Sequence, residues 1–199
     1  MLGGSFNPAH DGHLAITLTA LSRLRLDRVW WLVSPQNPLK PRTDMAPLAE
    51  RVAGARALAR HPRIVVGAIE ALLGTVYTVD TATALIRRFP CVHFVWLMGA
   101  DNLEQVTRWK DWPQLFETLP VAVFDRPSYS LRALAAPAAQ RFSRQRLAES
   151  MAGRLAGMTP PAWVFIHNRL NPQSSTRIRA ARRRRRGCGG DCASHLRGE

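Results

Sequence analysis

The sequence predicts an α/β fold built on a doubly wound, mainly parallel sheet. Three observations predict it. Short apolar runs alternate with stretches of helical spacing along most of the chain, the signature of strand–helix units that sandwich a parallel sheet between helices. A glycine-rich turn at residues 3–13 leads directly into an apolar helix. A strand-like run stops at Gly99-Ala100-Asp101, placing small and polar residues beyond the carboxyl end of a strand, where such sheets bind ligands.

The elements follow in order. Leu14 to Leu24 reads as an apolar helix, and Arg28 to Val33 as a buried strand closed by Ser34-Pro35. Ala46 to Ala59 has helical spacing, with Leu48, Val52, Ala55 and Leu58 on one face, and Arg63 to Val66 is a second short strand. Thr78 to Phe89 is a helix that turns Val79, Ala82, Leu85 and Ile86 inward and ends at Pro90. Val92 to Met98 is an apolar strand. Asp111 to Leu119 is a short helix with Pro113 in its first turn, where proline is tolerated. Val121 to Phe124 is a strand, residues 126–140 read as a loop, and Arg141 to Leu155 as a helix. Trp163 to Ile166 is a strand and Ser175 to about Arg184 a helix. Residues 1–181 are expected to form one domain, followed by a basic tail at 182–199 that is expected to be disordered from residue 187.

Bulk properties narrow the function. A chain of 199 residues suffices for one well-buried domain, and 46% hydrophobic residues exclude wholesale disorder. No run of about 18 apolar residues marks a membrane span, and no secretory pattern opens the chain, so the expected location is cytoplasmic. The net charge is +14. A basic body suits a protein that handles polyanions, nucleoside triphosphates as much as nucleic acids, and no nucleic-acid-binding module is recognisable. The three cysteines, Cys91, Cys188 and Cys192, do not form a disulfide framework. Cys188, Cys192 and His195 lack a fourth ligand, so no metal site is assigned.

The chemistry concentrates in Gly3-Gly4-Ser5-Phe6-Asn7-Pro8-Ala9-His10-Asp11-Gly12-His13-Leu14. Adjacent glycines let the backbone approach a ligand. A glycine-rich turn entering a helix aims N–H groups and a positive dipole end at one place, which favours phosphate. His10 and His13, three apart, can face the same way and donate to phosphate oxygens.

This segment resembles the signature G-x-F-[DN]-P-x-H-x-G-H of the HxGH nucleotidyltransferase superfamily, through Phe6, Asn7, Pro8, His10, Gly12 and His13. Ser174-Ser175-Thr176-Arg177-Ile178-Arg179 resembles its second signature, S-S-T-x-I-R. Ser174 or Ser175 can cap the helix that follows, and Arg179 can pair with phosphate oxygens. Between them, Ser34 to Lys40, Tyr77 to Thr81, Trp96 to Leu103, Trp109 to Trp112 and Asp125 to Pro127 resemble the nicotinate-mononucleotide adenylyltransferase family in particular. The similarity spans residues 3 to 181.

The resemblance implies a Rossmann-like fold of nucleotidyltransferase type and transfer of the adenylyl group of ATP to nicotinate mononucleotide, with magnesium accompanying ATP. It implies catalytic roles for His10, His13, Lys40 and Arg179. ATP would meet Gly4, Ser5, Phe6, Gly12, His13, Gly99, Asp101, Ser174, Ser175, Thr176 and Arg179. The mononucleotide would meet Asn37, Lys40, Thr81, Asp101, Trp112 and Arg126. A tryptophan face can stack on a pyridine ring, although Trp109 and Trp112 at helical spacing are equally compatible with packing.

Two features depart from the family pattern. Family members begin with a short strand before the glycine pair, whereas only Met1 and Leu2 precede Gly3 here; the expectation is a truncated central strand with residues missing upstream. The segment from Arg182 to Glu199 resembles nothing in the family. Three other readings stay open: a sister enzyme acting on nicotinamide mononucleotide or phosphopantetheine, a basic nucleic-acid-binding protein, and an inactive remnant. Oligomeric state leaves no trace in the sequence.

Overall fold

Seven strands make one sheet in the computed structural model, which describes residues 1–36, 45–127, 129–168 and 173–188. They are β1 (Leu2–Gly4), β2 (Val29–Val33), β3 (Ile64–Gly67), β4 (Trp96–Gly99), β5 (Val121–Phe124), β6 (Arg146–Leu147) and β7 (Trp163–Ile166). Their order is β3-β2-β1-β4-β5-β7-β6, and every pairing is parallel. The helices are α1 (Asp11–Arg23), α2 (Leu48–Leu58), α3 (Ile69–Leu73), α4 (Thr78–Arg88), α5 (Ala100–Gln105), α6 (Trp112–Thr118), α7 (Ser130–Ala135), α8 (Pro137–Arg141) and α9 (Ser175–Cys188). The chain winds from the central β1 out to β3, then recrosses to β4 and winds out the other way. The switch point lies between β1 and β4, where a crevice opens at the carboxyl ends of the strands. The expected α/β class and doubly wound sheet are what the structure shows.

Side-chain alternation divides the core into two layers. Leu2, Trp31, Val33, Leu97, Phe124 and Ile166 face α1 and α2 and their buried Ile16, Leu21 and Ala55. Leu32, Trp96, Met98, Val123, Trp163 and Phe165 face the opposite side, against Leu85 of α4, Leu103 of α5 and Phe116 of α6. Strands covered on both faces must read as continuous apolar runs, as β5 (Val-Ala-Val-Phe) and β7 (Trp-Val-Phe-Ile) do.

Three expectations need correction. The helix expected at Arg141–Leu155 is replaced by two 3₁₀ segments, Ser143–Gln145 and Glu149–Gly157, with β6 between them. Gly153 and Gly157 weaken an α-helix there. The buried pair Ala152 and Leu155 is spaced by three, the repeat that a 3₁₀ turn aligns. The loop expected at 126–140 contains α7 and α8, which bury Ala133, Ala138 and Ala139, with Pro137 opening α8. The strand expected from Val92 begins at Trp96; Val92 is half exposed and closes a turn on the Phe89 carbonyl.

The central strand forms with three residues, and its ladder is continued by Met1, whose carbonyl accepts the Leu97 N–H at 2.8 Å. The arginine run 182–186 is helical backbone within α9. No helix among the described residues is long and apolar enough to cross a membrane.

Candidate active site

A cleft of about 500 Å³ occupies the switch point. Its floor is the end of β1, with Gly3, Gly4 and Ser5. One wall comes from β4, β5 and α9, through Gly99, Asp101, Arg126, Ser174 and Arg179. The other comes from the end of β2 and the α3–α4 region, through Ser34, Glu70, Tyr77 and Thr78.

The glycine-histidine turn is held by reciprocal capping. His10 is the N-cap of α1, and its Nδ1 accepts the Gly12 N–H at 3.1 Å. His13 Nδ1 accepts the His10 N–H at 3.2 Å. With both Nδ1 atoms accepting, each neutral ring carries its proton on Nε2. The rings lie 3.9 Å apart between centroids, and both line the cleft. Gly12 is required here because a Cβ at this position would stand 2.9 Å from the His10 ring. Beneath His13, Phe6 packs at 4.7 Å and stacks in turn on Trp31. Phe6 holds φ 46 while fully buried, a left-handed conformation rare for a bulky residue and concentrated at functional sites. The Thr17 hydroxyl donates to the His13 carbonyl and accepts from the Trp31 indole, each at 2.8 Å.

Burial pushes the His10 imidazole down to about 4, with the Arg126 guanidinium acting in the same direction against Asp11 and Asp101. His10 is therefore a neutral donor at physiological pH. Its resonance in the ligand-free protein should titrate near 4 by NMR; a midpoint near the ordinary 6.5 would contradict this. The unfolded chain takes up that proton near 6.5. The stability tied to the neutral ring is thus complete above pH 6.5 and is lost as pH falls from 6.5 toward 4.

Residues from the far end of the chain close over this turn. Ser174 caps α9, its Oγ accepting the Arg177 N–H at 3.3 Å, and the Ser175 hydroxyl donates to the Pro8 carbonyl at 3.0 Å. The Asp11 N–H donates to Gln173 Oε1 at 3.2 Å, and Gln173 Nε2 returns a bond to the Asp11 carboxylate at 3.0 Å. Arg179 Nη1 donates to the Asn7 carbonyl at 2.6 Å. Ser174, Ser175, Thr176 and Arg179 all line the cleft.

At the ends of β4 and β5, Asp101 and Arg126 form an ion pair at 3.4 Å. A Cβ at Gly99 would collide with the Asp101 carboxylate and stand 3.0 Å from Arg126 Nε. That position admits only glycine while the pair stands as it does.

Not every residue singled out from the sequence meets the cleft. Thr81 is fully buried, its hydroxyl 2.8 Å from that of Thr75, and it is absent from the lining, whereas Tyr77 and Thr78 are present. Trp112 packs edge-on against Phe116 and Phe142 with Arg141 over its face; Trp109 is the tryptophan in the wall above the cleft. Gly12 supports the His10 ring from outside the lining. Asn37 and Lys40 lie outside the described residues. Glu70, Trp96 and Lys110 line the cleft without having been singled out as binding residues, and so does Trp109, for which stacking and packing were equally open. Lys110 reaches Asp80 at 3.4 Å and lies over the Tyr77 ring at 4.8 Å.

Buried polar atoms mark the same place independently. Seven side-chain N or O atoms among the described residues are buried without a hydrogen-bond partner. Three of them, Ser5 Oγ, Glu70 Oε2 and Trp96 Nε1, belong to residues of this cleft; two more from the cleft, Asp101 Oδ1 and Arg126 Nε, meet each other in the ion pair. An unpaired buried polar atom costs about 1–3 kcal/mol, so the three unserved atoms in this crevice are places where a water or a ligand group can bond.

Arg51 of α2 braces the cleft from behind. It is 3% exposed. Nη1 donates to the Ser5 and Ser34 carbonyls, each at 2.7 Å, Nη2 to the Pro35 carbonyl at 2.9 Å and Nε to the Ala46 carbonyl at 2.9 Å. One guanidinium thus fixes the exit of β1, the exit of β2 and the approach to α2.

Comparisons with known proteins agree with this geometry. The profile of the cytidylyltransferase-like family matches residues 1–181. A probable nicotinate-nucleotide adenylyltransferase of Cereibacter sphaeroides is 54% identical over 183 residues, covering 92% of this chain and 96% of that protein. A protein of the same description from Methylorubrum extorquens is 54% identical over 179 residues, covering 90% and 97%. The chain belongs to this nicotinate-nucleotide adenylyltransferase family. Its fold is shared by the Plasmodium falciparum nicotinic acid mononucleotide adenylyltransferase solved with NaAD, at a TM-score of 0.62 and 15% identity over 90% of this chain and 80% of that one.

Proposed function

We propose that residues 1–181 catalyse the transfer of the adenylyl group of ATP to nicotinate mononucleotide, giving nicotinate adenine dinucleotide and pyrophosphate. The observation that carries this is the cleft at the β1–β4 switch point, with its phosphate-facing turn between two differently built walls. Relatives that match nearly end to end bear the name of this activity. A 5′-phosphate oxygen of the mononucleotide attacks the α-phosphorus of ATP in line. One P–O bond forms, the α–β bridging bond breaks, and pyrophosphate leaves with the electron pair. The attacking phosphate is already ionised, so no general base is required. The protein's task is alignment and neutralisation of charge.

In this reading, His13 Nε2–H donates to the α-phosphate as charge builds there, with His10 beside it as a neutral second donor. Gly4, Ser5 and Phe6 bring backbone close to the phosphates, and Arg179, Ser174, Ser175 and Thr176 receive the leaving pyrophosphate. Lys40 is assigned to phosphate neutralisation and Asn37 to the mononucleotide from the family resemblance alone. Gly99, Asp101 and Arg126 lie along the adenosine side and the join between the two nucleotides. Magnesium would enter with ATP as part of the substrate and would help to neutralise the phosphate charge.

The opposite wall suits the acceptor. Trp109 offers an aromatic face. α4 begins at Thr78, with Tyr77 as an N-cap that makes no side-chain cap bond and the first-turn Asp80 paired with Lys110, so first-turn N–H groups and the positive dipole end stand beside the cleft, favouring an anionic ring substituent. This supports nicotinate over nicotinamide. The test is pyrophosphate release from ATP and magnesium with nicotinate mononucleotide, nicotinamide mononucleotide or phosphopantetheine offered in turn. Release that depends on nicotinate mononucleotide is the expected result; equal or greater release with either alternative overturns the assignment.

A further inference from the structure

Among the described residues, Glu70 and Asp101 are the acids that line the cleft, and Glu70 stands on the wall formed by β2, α3 and α4. It stands in the first turn of α3, a helix that ends at Gly74 with φ 65. This left-handed turn folds the chain back to the start of α4. The residue is 5% exposed, and its Oε2 is buried with no hydrogen-bond partner. Burial raises the carboxyl above the usual range, while the nearby Ser34 hydroxyl, which donates to the Gln36 carbonyl at 3.2 Å, acts in the opposite direction. A carboxyl with a buried, unpartnered oxygen, in the wall of a cleft for two polyanions, is suited to a donor that an ionised phosphate does not supply.

The chemistry of the acceptor leaves few candidates. A nicotinate mononucleotide carries a phosphate and a ring carboxylate, both acceptors when ionised, and a pyridinium ring without an N–H. Its only hydrogen-bond donors are the two ribose hydroxyls. A Glu side chain turns readily about its last bond, where the torsional wells are broad, so Oε2 can meet a hydroxyl with little cost. We propose that Glu70 accepts a hydrogen bond from a ribose hydroxyl of the acceptor, and that this contact selects ribonucleotide acceptors and sets the depth of the ring in its pocket. The proposal rests on the acceptor being a pyridine mononucleotide. It assigns Glu70 a binding role and leaves the phosphate chemistry to the histidine turn.

The test compares nicotinate mononucleotide with its 2′-deoxy and 3′-deoxy analogues as acceptors at saturating ATP, in the native protein and in Glu70→Gln. The native protein should lose about 10- to 100-fold in kcat/KM with one of the two analogues, the scale of a hydrogen bond to a charged group. Glu70→Gln should lose a similar factor with the ribose acceptor and no longer distinguish it from that analogue. KM for ATP should stay within about twofold of native, since the change in binding falls on one acceptor hydroxyl. The proposal is overturned if the native protein uses all three acceptors equally, or if Glu70→Gln discriminates as sharply as native. The native comparison is decisive even if the variant does not fold. No release by native protein with nicotinate mononucleotide itself would instead remove the proposed reaction, and this contact with it.

Discussion

Replacing His13 with alanine is expected to lower turnover by about 10²-fold or more, the scale of losing one donor aimed at developing charge. The substitution also removes the Nδ1 that accepts the His10 N–H, so two further variants separate chemistry from capping. In His13→Asn the amide oxygen can stand near the Nδ1 position and keep the cap, while nothing replaces Nε2–H. Turnover should fall nearly as far as in the alanine variant, with a melting temperature close to native. In His13→Gln the amide nitrogen can reach the Nε2 position, and part of the activity should return. Steady-state kinetics with parallel thermal melts decide the matter. His13→Asn turning over within threefold of native would remove His13 from the proposed chemistry.

The second large effect is expected at Arg51, and it appears first in stability. Arg51→Met keeps most of the aliphatic volume but withdraws donors from four carbonyls on three separate segments. Each buried acceptor left unpaired costs about 1–3 kcal/mol. With water entering to recover part of this, a loss of about 3 kcal/mol or more is expected, equivalent to roughly 6–12 °C in melting temperature for a domain of this size. Arg51→Lys should recover less than half, because one ammonium cannot span the geometry of a planar fork. Melting of Arg51→Met within about 2 °C of native would show that the carbonyls find other partners. The Ser5 carbonyl is one of the four, so the folded fraction should also bind ATP more weakly.

The strands were legible where both faces are covered. β5 and β7 were delimited to the residue, because fully buried strands leave uninterrupted apolar runs in the sequence. The elements that escaped are short. α3 and α5 have five and six residues, too few for a helical period to repeat, and β1 has three. In the cleft, the histidine turn and the serine-arginine segment were visible because each is contiguous in sequence. Glu70 was not, since only the fold brings α3 to this crevice, and Trp109 was legible only as one of two tryptophans equally compatible with stacking and with packing. Arg51 looks like an ordinary surface charge on a helix; nothing local announces that carbonyls 46, 17, 16 and 5 positions away converge on it. Trp112 was singled out ahead of Trp109 because sequence spacing alone does not reveal which of two nearby indoles turns toward a cavity.

The bonds that join the glycine-histidine turn to Gln173, Ser175 and Arg179 span between 162 and 172 residues. Protein synthesis therefore supplies the two sides of the proposed phosphate site at opposite ends of its time course. A nascent chain released before Ser174 carries both histidines but lacks the hydroxyls and the guanidinium that complete the site. It has no means of gripping a triphosphate from both sides. If the proposed assignment holds, a chain ending before Ser174 is expected not to release pyrophosphate from ATP, and competence is expected only once α9 is present.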